Sequence, residues 1–174
     1  VHGNGIIRYK PASGLAHQFR HDPNDPDNSL SNDFTFNMAV DRDNNLWIAT
    51  AHGISKFNPK SQQFSNYYND PENLISLSSN TVQTIHCDQS GLIWAGTNNG
   101  INVYWPQHDQ FLPIADETTI NNQNISSIES VKPGEVWTST KSGIFRIHYS
   151  WDDTQNFQYD LDYFAHTDGL IQLF

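Results

Sequence analysis

A short apolar segment centred on tryptophan occurs three times in the chain, and its regular spacing restricts the possible folds more than any other feature. The copies are Leu46–Thr50, Ile93–Thr97 and Val136–Thr140, with the tryptophans Trp47, Trp94 and Trp137. Three residues after the threonine of each copy stands a glycine followed by isoleucine, at Gly53, Gly100 and Gly143. A fourth Gly-Ile pair begins at Gly5. Spacings of 43 to 48 residues indicate tandem copies of one supersecondary unit.

Each unit is interpreted as four short strands, with the tryptophan in the second. In the first copy Leu46, Ile48 and Thr50 point to one face of that strand, whereas Trp47 and Ala49 point to the other. Both faces are mostly apolar, which is typical of a strand covered on both sides. A blade of a β-propeller has this environment because a neighbouring blade packs against each of its faces.

The tryptophans are expected to be the main packing elements between blades. The residue two places after each of them is small, namely Ala49, Gly96 and Ser139. This pattern leaves room for a large side chain from the next blade.

The sequence therefore predicts an all-β fold, a β-propeller fragment of about three four-stranded blades plus partial blades at both ends. The predicted units are a partial blade of two strands at 1–20, blades at 21–68, 69–115 and 116–164, and the start of a further blade at 165–174. Such an arc exposes a blade face and unpaired strand edges. We expect the remaining blades of the same protein, or a second copy associating as a homo-oligomer, to cover them.

Composition narrows the functional classes. The net charge is −10 and the nine basic residues form no cluster, so binding to nucleic acid is not expected. The single cysteine, Cys87, excludes an internal disulfide. Because the sequence opens in the middle of a repeat, we expect it to be a piece of a longer protein.

The segment from Asn80 to Ile101 resembles the two-component regulator propeller repeat. It contains the pattern Asn-x-Val-x-x-Ile-x-x-Asp-x-x-Gly-x-x-Trp-x-Gly-Thr-x-x-Gly-Ile. The linkers that begin at Asp22-Pro23 and at Asp70-Pro71 are similar to those of this family. The resemblance implies the periplasmic sensor region of a membrane receptor, with a histidine kinase or diguanylate cyclase output in modules that this chain lacks. Some members of the family bind oligosaccharides, which makes an oligosaccharide or another small molecule the expected ligand.

Two carboxylates at equivalent repeat positions are candidates for acid–base chemistry or for turn formation. Asp41 and Asp88 each precede a tryptophan by six residues. The turn interpretation is preferred because aspartate side chains accept hydrogen bonds from nearby backbone N–H groups in such turns. The eight histidines fall at different repeat positions with no ligand spacing, so we predict no metal site, no cofactor and no catalytic residue.

Ligand binding is expected at one rim of the propeller, where the turn after the second strand meets the linker between blades. The candidate residues at this rim are His52, Asn98, Asn99, Lys141, Tyr67 and Tyr68. The two tyrosines could stack on a sugar, although aromatic residues at strand ends more often pack between blades. Two alternatives remain open, a protein-interaction scaffold without a small ligand and, less favoured, a propeller lyase or hydrolase.

Overall fold

A computed structural model describes residues 3–115, 120–152 and 156–165, which form fourteen strands in four antiparallel sheets. Blade 1 has two strands, β1 (Ile6–Lys10) and β2 (Leu15–Phe19). Blade 2 comprises β3 (Thr35–Val40), β4 (Leu46–Thr50), β5 (Gly53–Asn58) and β6 (Gln63–Tyr67). Blade 3 comprises β7 (Val82–Cys87), β8 (Ile93–Thr97), β9 (Gly100–Trp105) and β10 (Gln110–Pro113). Blade 4 comprises β11 (Ile125–Lys132), β12 (Glu135–Thr140), β13 (Gly143–Trp151) and β14 (Phe157–Ala165).

This architecture confirms the predicted all-β propeller fragment. Within each complete blade the strands pair antiparallel in chain order, and the second strand carries the tryptophan. The turns between the first and second strands use positive φ angles at Asn44, Gly91 and Gly134, where glycine and asparagine are tolerated. The start of a further blade, predicted at 165–174, lies outside the described residues except for Ala165.

The blades pack side by side through their faces, with the first strands β3, β7 and β11 as neighbours. These three strands line a cleft of about 370 Å3, which corresponds to the channel side of a propeller. At the junction of blades 2 and 3, the Trp47 ring lies 4.7 Å from that of Tyr104 and 5.9 Å from that of Phe111. Indoles thus pack across the junctions, as the repeat predicted.

Gly96 shows why the residue two places after the tryptophan must be small. A Cβ atom at this position would lie 2.4 Å from Cγ2 of Ile125 in blade 4 and 2.7 Å from Cγ2 of Thr84. Ile125 is fully buried, so the space that glycine leaves is filled by the next blade.

Trp137 differs from the other two tryptophans. Trp47 and Trp94 are almost completely buried, whereas Trp137 is only half-buried. Its ring stacks on Phe164 of its own blade at 5.5 Å, and no described residue follows blade 4 to cover its other side.

Each of the two Ser-Leu-Ser linkers is hydrogen-bonded to the third strand of the blade that follows it. Leu30 and Leu77 are buried, at 0% and 1% exposure, and hold the linkers in the core. The backbone N–H of Ser78 donates to Oδ1 of Asn102 in β9 at 2.9 Å, and the Ser78 hydroxyl lies 2.9 Å from that of Thr97. The linker motif therefore orients the turn after the second strand.

Candidate functional site

The turn carboxylates bind backbone N–H groups and also the indole of their own blade. Oδ1 of Asp88 accepts hydrogen bonds from the N–H groups of Ser90 and Leu92 at 2.8 and 3.0 Å. Oδ2 accepts one from Nε1 of Trp94 at 2.7 Å and one from the hydroxyl of Tyr149, in blade 4, at 2.5 Å. The carboxylate is thus fully used in holding the turn, the indole and the next blade, which supports the structural role.

Asp41 repeats this arrangement in blade 2. It accepts hydrogen bonds from the backbone N–H groups of Asp43 and Asn45, and from Nε1 of Trp47 at 2.9 Å. Burial tends to raise the pKa of Asp41, but hydrogen bonds from Asn45 and Trp47 outweigh it and hold that pKa below its ordinary value. Asp41 is therefore poorly suited to donate a proton near neutral pH.

Blade 4 shows how the chain compensates where the aspartate is missing. Val131 occupies the aspartate position, and Nε1 of Trp137 donates instead to Oε1 of Glu135 at 2.9 Å. The indole hydrogen bond is the first feature that sequence reasoning missed. The matching signal was present, since Glu135 stands two residues before Trp137 in the one repeat that lacks the aspartate.

A cation lies over the indole in two of the three complete blades. Nζ of Lys56 is 4.8 Å from the Trp47 ring centroid, and the guanidinium carbon of Arg146 is 5.4 Å from that of Trp137. Both cations stand three residues after the repeat glycine, at the position that Val103 occupies in blade 3. The arrangement contributes to packing, because a cation over an indole face is attracted by the π electrons.

Four of the six predicted rim residues lie in the turns that follow the second strands. His52, Asn98, Asn99 and Lys141 are all exposed. Each turn is held against a linker: the N–H of Asn98 donates to the carbonyl of Thr81 at 3.1 Å, and that of Gly53 donates to the carbonyl of Asn80. The turns and linkers thus form one continuous edge of the arc.

Among the predicted residues, the structure brings His52 and Tyr68 together, with ring centroids 5.4 Å apart. Asn98 and Asn99 share a turn in blade 3, and Lys141 lies on the corresponding turn of blade 4. Nδ2 of Asn99 donates to the carbonyl of Ser78 at 3.2 Å, which ties this side chain to the linker. The six residues therefore occupy successive blades and do not converge on one point.

Tyr67 and Tyr68 line a cleft of about 350 Å3 between blades 2 and 3. We call it the interblade cleft; its other walls are the linker and the beginning of β10. Its polar lining includes Asn66, Asp70, Asn73, Ser76, Asp109 and Gln110. The ring of Tyr68 is 37% exposed, so it offers a flat aromatic surface beside hydrogen-bonding groups.

Tyr67 has a different role from Tyr68. Its ring stacks on Trp47 at 5.6 Å, and its hydroxyl donates to Oδ1 of Asp109 at 2.7 Å. The hydroxyl of Tyr104 donates to the same oxygen at 2.5 Å. Burial, followed by the Asp109 contact, raises the pKa values of both tyrosines well above the ordinary value, so both stay protonated hydrogen-bond donors.

Asp109 is the second feature that sequence reasoning missed. It lies in the turn between β9 and β10 with a φ of 52°, and it contacts aromatic residues of two blades. Nothing in its local sequence distinguishes it from an ordinary turn aspartate, because the partner Tyr67 is 42 residues away.

Two further observations concern the described residues. No three side chains of the His, Cys, Asp and Glu types lie close enough in the described part of the chain to hold a metal ion. A search of the same residues found no helix with the length and apolar character that crossing a membrane requires.

Stacked four-stranded sheets with an indole at their junctions define this chain as part of a β-propeller. Residues 29–52 and 76–99 match the family model described as two component regulator propeller. Both matched segments contain a Ser-Leu-Ser linker, the first two strands of a blade and the turn that follows them. The resemblance seen in the sequence is thereby confirmed.

The known proteins that are similar to the chain include a histidine kinase, an extracellular receptor domain and a lyase. A curated relative, histidine kinase P4 of Formosa agariphila, is 31% identical over 64 residues, which cover 36% of this chain and 5% of the relative. The extracellular domain described as part of a hybrid two-component system of B. thetaiotaomicron superposes with a TM-score of 0.66 at 17% identity. A streptogramin B lyase superposes with a TM-score of 0.58 at 13% identity, over 91% of this chain and 48% of the lyase.

The chain spans only a small part of the two signalling proteins. It covers 5% of the histidine kinase and 20% of the extracellular domain, although 89% of the chain takes part in the second match. At these low identities the structural matches establish the propeller fold alone.

Proposed function

We propose that this chain is a propeller segment from the extracytoplasmic, periplasmic sensor region of a bacterial two-component receptor. The observation that carries the proposal is the pair of family repeats at 29–52 and 76–99, which lie within a fold shared with an extracellular receptor domain. The output module, whether a kinase or a cyclase, belongs to parts of the receptor outside these residues. The segment itself acts by binding and not by catalysis.

The interblade cleft and the adjoining turn of His52 are the proposed ligand site. Tyr68 offers an exposed ring, and His52 lies beside it on the edge formed by turns and linkers. The cleft lining combines carboxylates, amides and hydroxyls, which are the groups that hydrogen-bond to a polyhydroxylated molecule such as an oligosaccharide. A neutral sugar suits this site better than an anion, because Asp70 and Asp109 line it and no lysine or arginine does.

The enzyme alternative has less support. A propeller lyase or hydrolase requires titratable groups that converge on a substrate. Here the turn carboxylates Asp41 and Asp88 are engaged with indoles, and the rim residues are spread over successive blades. The similarity to a streptogramin B lyase concerns the fold.

The test is a thermal-shift screen of the complete receptor ectodomain against a panel of neutral and acidic oligosaccharides. We expect at least one neutral compound to raise the melting temperature, and Tyr68→Ala to abolish that shift. Tyr163→Ala is the matched control, since Tyr163 is 39% exposed and lies in blade 4 away from the cleft. If no compound changes the melting temperature while a protein partner co-purifies with the ectodomain, the scaffold interpretation is correct and the ligand site is not.

A further inference from the structure

Charge is distributed unevenly along the chain, although the basic residues form no run in the sequence. Residues 1–21 and 44–69 contain five of the nine basic residues and none of the nineteen acidic ones. These two acid-free segments include both strands of blade 1 and the strands β4, β5 and β6 of blade 2. The junction of blades 1 and 2 is therefore a positive region of an otherwise acidic chain.

A cleft of about 210 Å3 lies on the hairpin of β1 and β2 in this region. It is lined by Arg8, Lys10, Leu15, Ala16 and His17, and we call it the cationic cleft. Arg8 pairs with His17 across the hairpin, and Lys10 follows two residues later, so these side chains share one face of the sheet. The volume lies below the range of about 300–1,000 Å3 for whole small-molecule sites, and it suits a single charged group.

The face that carries these side chains is turned toward blade 2. Phe19 lies on the same face and packs against Phe57 and Phe64, with ring centroids 4.9 and 5.7 Å apart. Nη1 of Arg8 donates to Oε1 of Gln62, in the turn between β5 and β6, at 3.2 Å. The cationic cleft therefore lies beside a junction whose two blades are both described.

Arg8 is held at the cleft without the use of its full hydrogen-bonding capacity. Its guanidinium carbon lies 5.4 Å from the Phe19 ring, and Gln62 binds Nη1. The buried Nε has no acceptor, and Nη2 forms no hydrogen bond with the described residues either. Because buried donors without an acceptor are costly, this edge of the guanidinium favours a bound acceptor.

Blade 4 shows the same repeat position with a carboxylate in place. Arg146 stands three residues after the repeat glycine, as Arg8 does in blade 1. The strand partner of Arg146 is Asp162, whose Oδ2 accepts hydrogen bonds from Nε at 2.9 Å and from Nη2 at 2.6 Å. The strand partner of Arg8 is His17, which supplies no carboxylate. The two nitrogens that bind Asp162 in blade 4 thus have no acceptor among the described residues around blade 1.

No carboxylate neutralises the cationic cleft within the described part of the chain. Three other basic residues form ion pairs with carboxylates at 2.6 to 3.4 Å, namely Arg20, Lys132 and Arg146. Arg8 and Lys10 form no such pair, and the side chains of Lys10 and His17 are exposed. The positive charge of the cleft is thus available to a molecule from solution.

We propose that the cationic cleft binds an oxyanion, a carboxylate or a sulfate group, whose oxygens take the place that the Asp162 carboxylate has in blade 4. Arg8 binds it through Nε and Nη2, since planar guanidinium groups match oxyanions in a forked geometry. Lys10 adds a second positive charge, and the imidazole of His17 adds an N–H donor. The oxyanion is either a free anion or the charged group of an acidic sugar.

This site is separate from the interblade cleft. Asp70 and Asp109 line the interblade cleft and disfavour an anion there, whereas the lining of the cationic cleft contains no acidic residue. The proposal therefore does not depend on the neutral-sugar site around Tyr68.

The test is isothermal titration calorimetry of the complete receptor ectodomain at low ionic strength, with sodium sulfate, sodium acetate and sodium glucuronate as probes. We expect saturable binding of at least one of these anions. Arg8→Gln and Lys10→Gln should each weaken it at least about tenfold, because charge-assisted hydrogen bonds are strong. Lys10 is exposed, so its substitution tests the site even if Arg8→Gln disturbs the blade junction.

A further variant copies the arrangement of blade 4 into blade 1. His17→Asp places an internal carboxylate opposite Arg8 and should abolish anion binding, whereas His17→Asn should weaken it less. Lys132→Gln is the control for the loss of one charge, since Lys132 lies in blade 4. Tyr68→Ala should also leave anion binding unchanged, which separates a failure of this site from a failure of the sugar site.

The pattern of binding identifies the source of the oxyanion. Tighter binding of glucuronate than of acetate would identify an acidic sugar. Binding of sulfate alone, or of acetate as tightly as glucuronate, would identify a free anion. The proposal is overturned if no probe binds to the folded ectodomain, if binding survives His17→Asp, or if Lys132→Gln weakens it as much as Lys10→Gln.

Discussion

Trp94 and Asp88, six residues apart, are joined by a 2.7 Å hydrogen bond from the indole N–H to the carboxylate. The same carboxylate oxygen receives the Tyr149 hydroxyl from the next blade. Burial and this contact with Asp88 raise the pKa of Tyr149 to about 12, so the phenol stays protonated at neutral pH. One side chain thus links a turn, the core of its blade and the neighbouring blade.

Replacing Asp88 with alanine should destabilise the chain strongly. The change leaves the Trp94 N–H, the Tyr149 hydroxyl and two turn N–H groups without their acceptor. We expect a loss of about 3 kcal/mol or more in the free energy of unfolding, because hydrogen bonds to charged groups contribute about 1.5–3 kcal/mol each. Urea unfolding measures it, with Asp43→Ala, an exposed aspartate in the equivalent turn of blade 2, as control. Equal midpoints for both variants would contradict the role of Asp88.

Gly96→Ala should destabilise the junction of blades 3 and 4 by roughly 1–3 kcal/mol, the range for an overpacked core. The reason is the approach of the new Cβ to Cγ2 of Ile125. Ile125→Ala makes room and should reduce the cost of the glycine substitution in a double-mutant cycle. Simple additivity of the two free-energy changes would show that the clash does not limit stability. The measurement is again the urea midpoint.

Lys56→Met should lower the free energy of unfolding by about 1 kcal/mol, in the range of cation–π contacts. Lys56→Arg should lower it less, because arginine keeps the positive charge. Nζ of Lys56 lies 4.8 Å from the Trp47 ring and 5.3 Å from the Tyr104 ring, on both sides of a blade junction. Lys60→Met, at an exposed turn position, serves as control for the loss of charge. Thermal unfolding at low and high salt measures the effect, and an equal loss for the methionine and arginine variants would argue for packing alone.

Acidic pH should lower the free energy of unfolding of the chain, because it protonates Asp41. Its folded-state pKa is lowered, so its contribution to stability is complete above the unfolded pKa of about 3.9 and is lost as the pH falls through the lower folded value. Asp41→Asn should therefore reduce stability at pH 7 and flatten the decline of the urea midpoint below about pH 4. The exposed Asp43→Asn should leave that decline unchanged. A parallel decline in the wild type and Asp41→Asn would assign the acid sensitivity to other groups.

Much of the fold could be predicted because the constraints were local and repeated. Short-range steric and burial rules predict the tryptophan strand, the Thr-x-x-Gly turn and the turn residues Asn44 and Gly91. Alignment of the three copies of the repeat places these features at equivalent positions. The small residue at Gly96 predicted room for a large side chain from the next blade, and Ile125 of blade 4 fills that space.

The site was less predictable because it depends on contacts between repeats. The pairing of Tyr67 with Asp109 spans 42 residues and joins a strand end to a turn of the next blade. The separate roles of Tyr67 and Tyr68 follow from which ring faces Trp47, and adjacent tyrosines give no sign of that in sequence. His52 was predicted as a rim residue because it lies in the turn after the second strand. Its contact with Tyr68 depends on the path of the linker, which the sequence does not define.

The linker between blades 2 and 3 forms hydrogen bonds with the blade before it and with the blade after it. Its Asn80 carbonyl accepts from Gly53 of the blade before it, and its Ser78 hydroxyl meets Thr97 of the blade after it. A ligand that displaced this segment would therefore alter hydrogen bonds to two blades at once. The linker thus couples the positions of neighbouring blades through side-chain and backbone hydrogen bonds, independently of the strand pairing within either sheet.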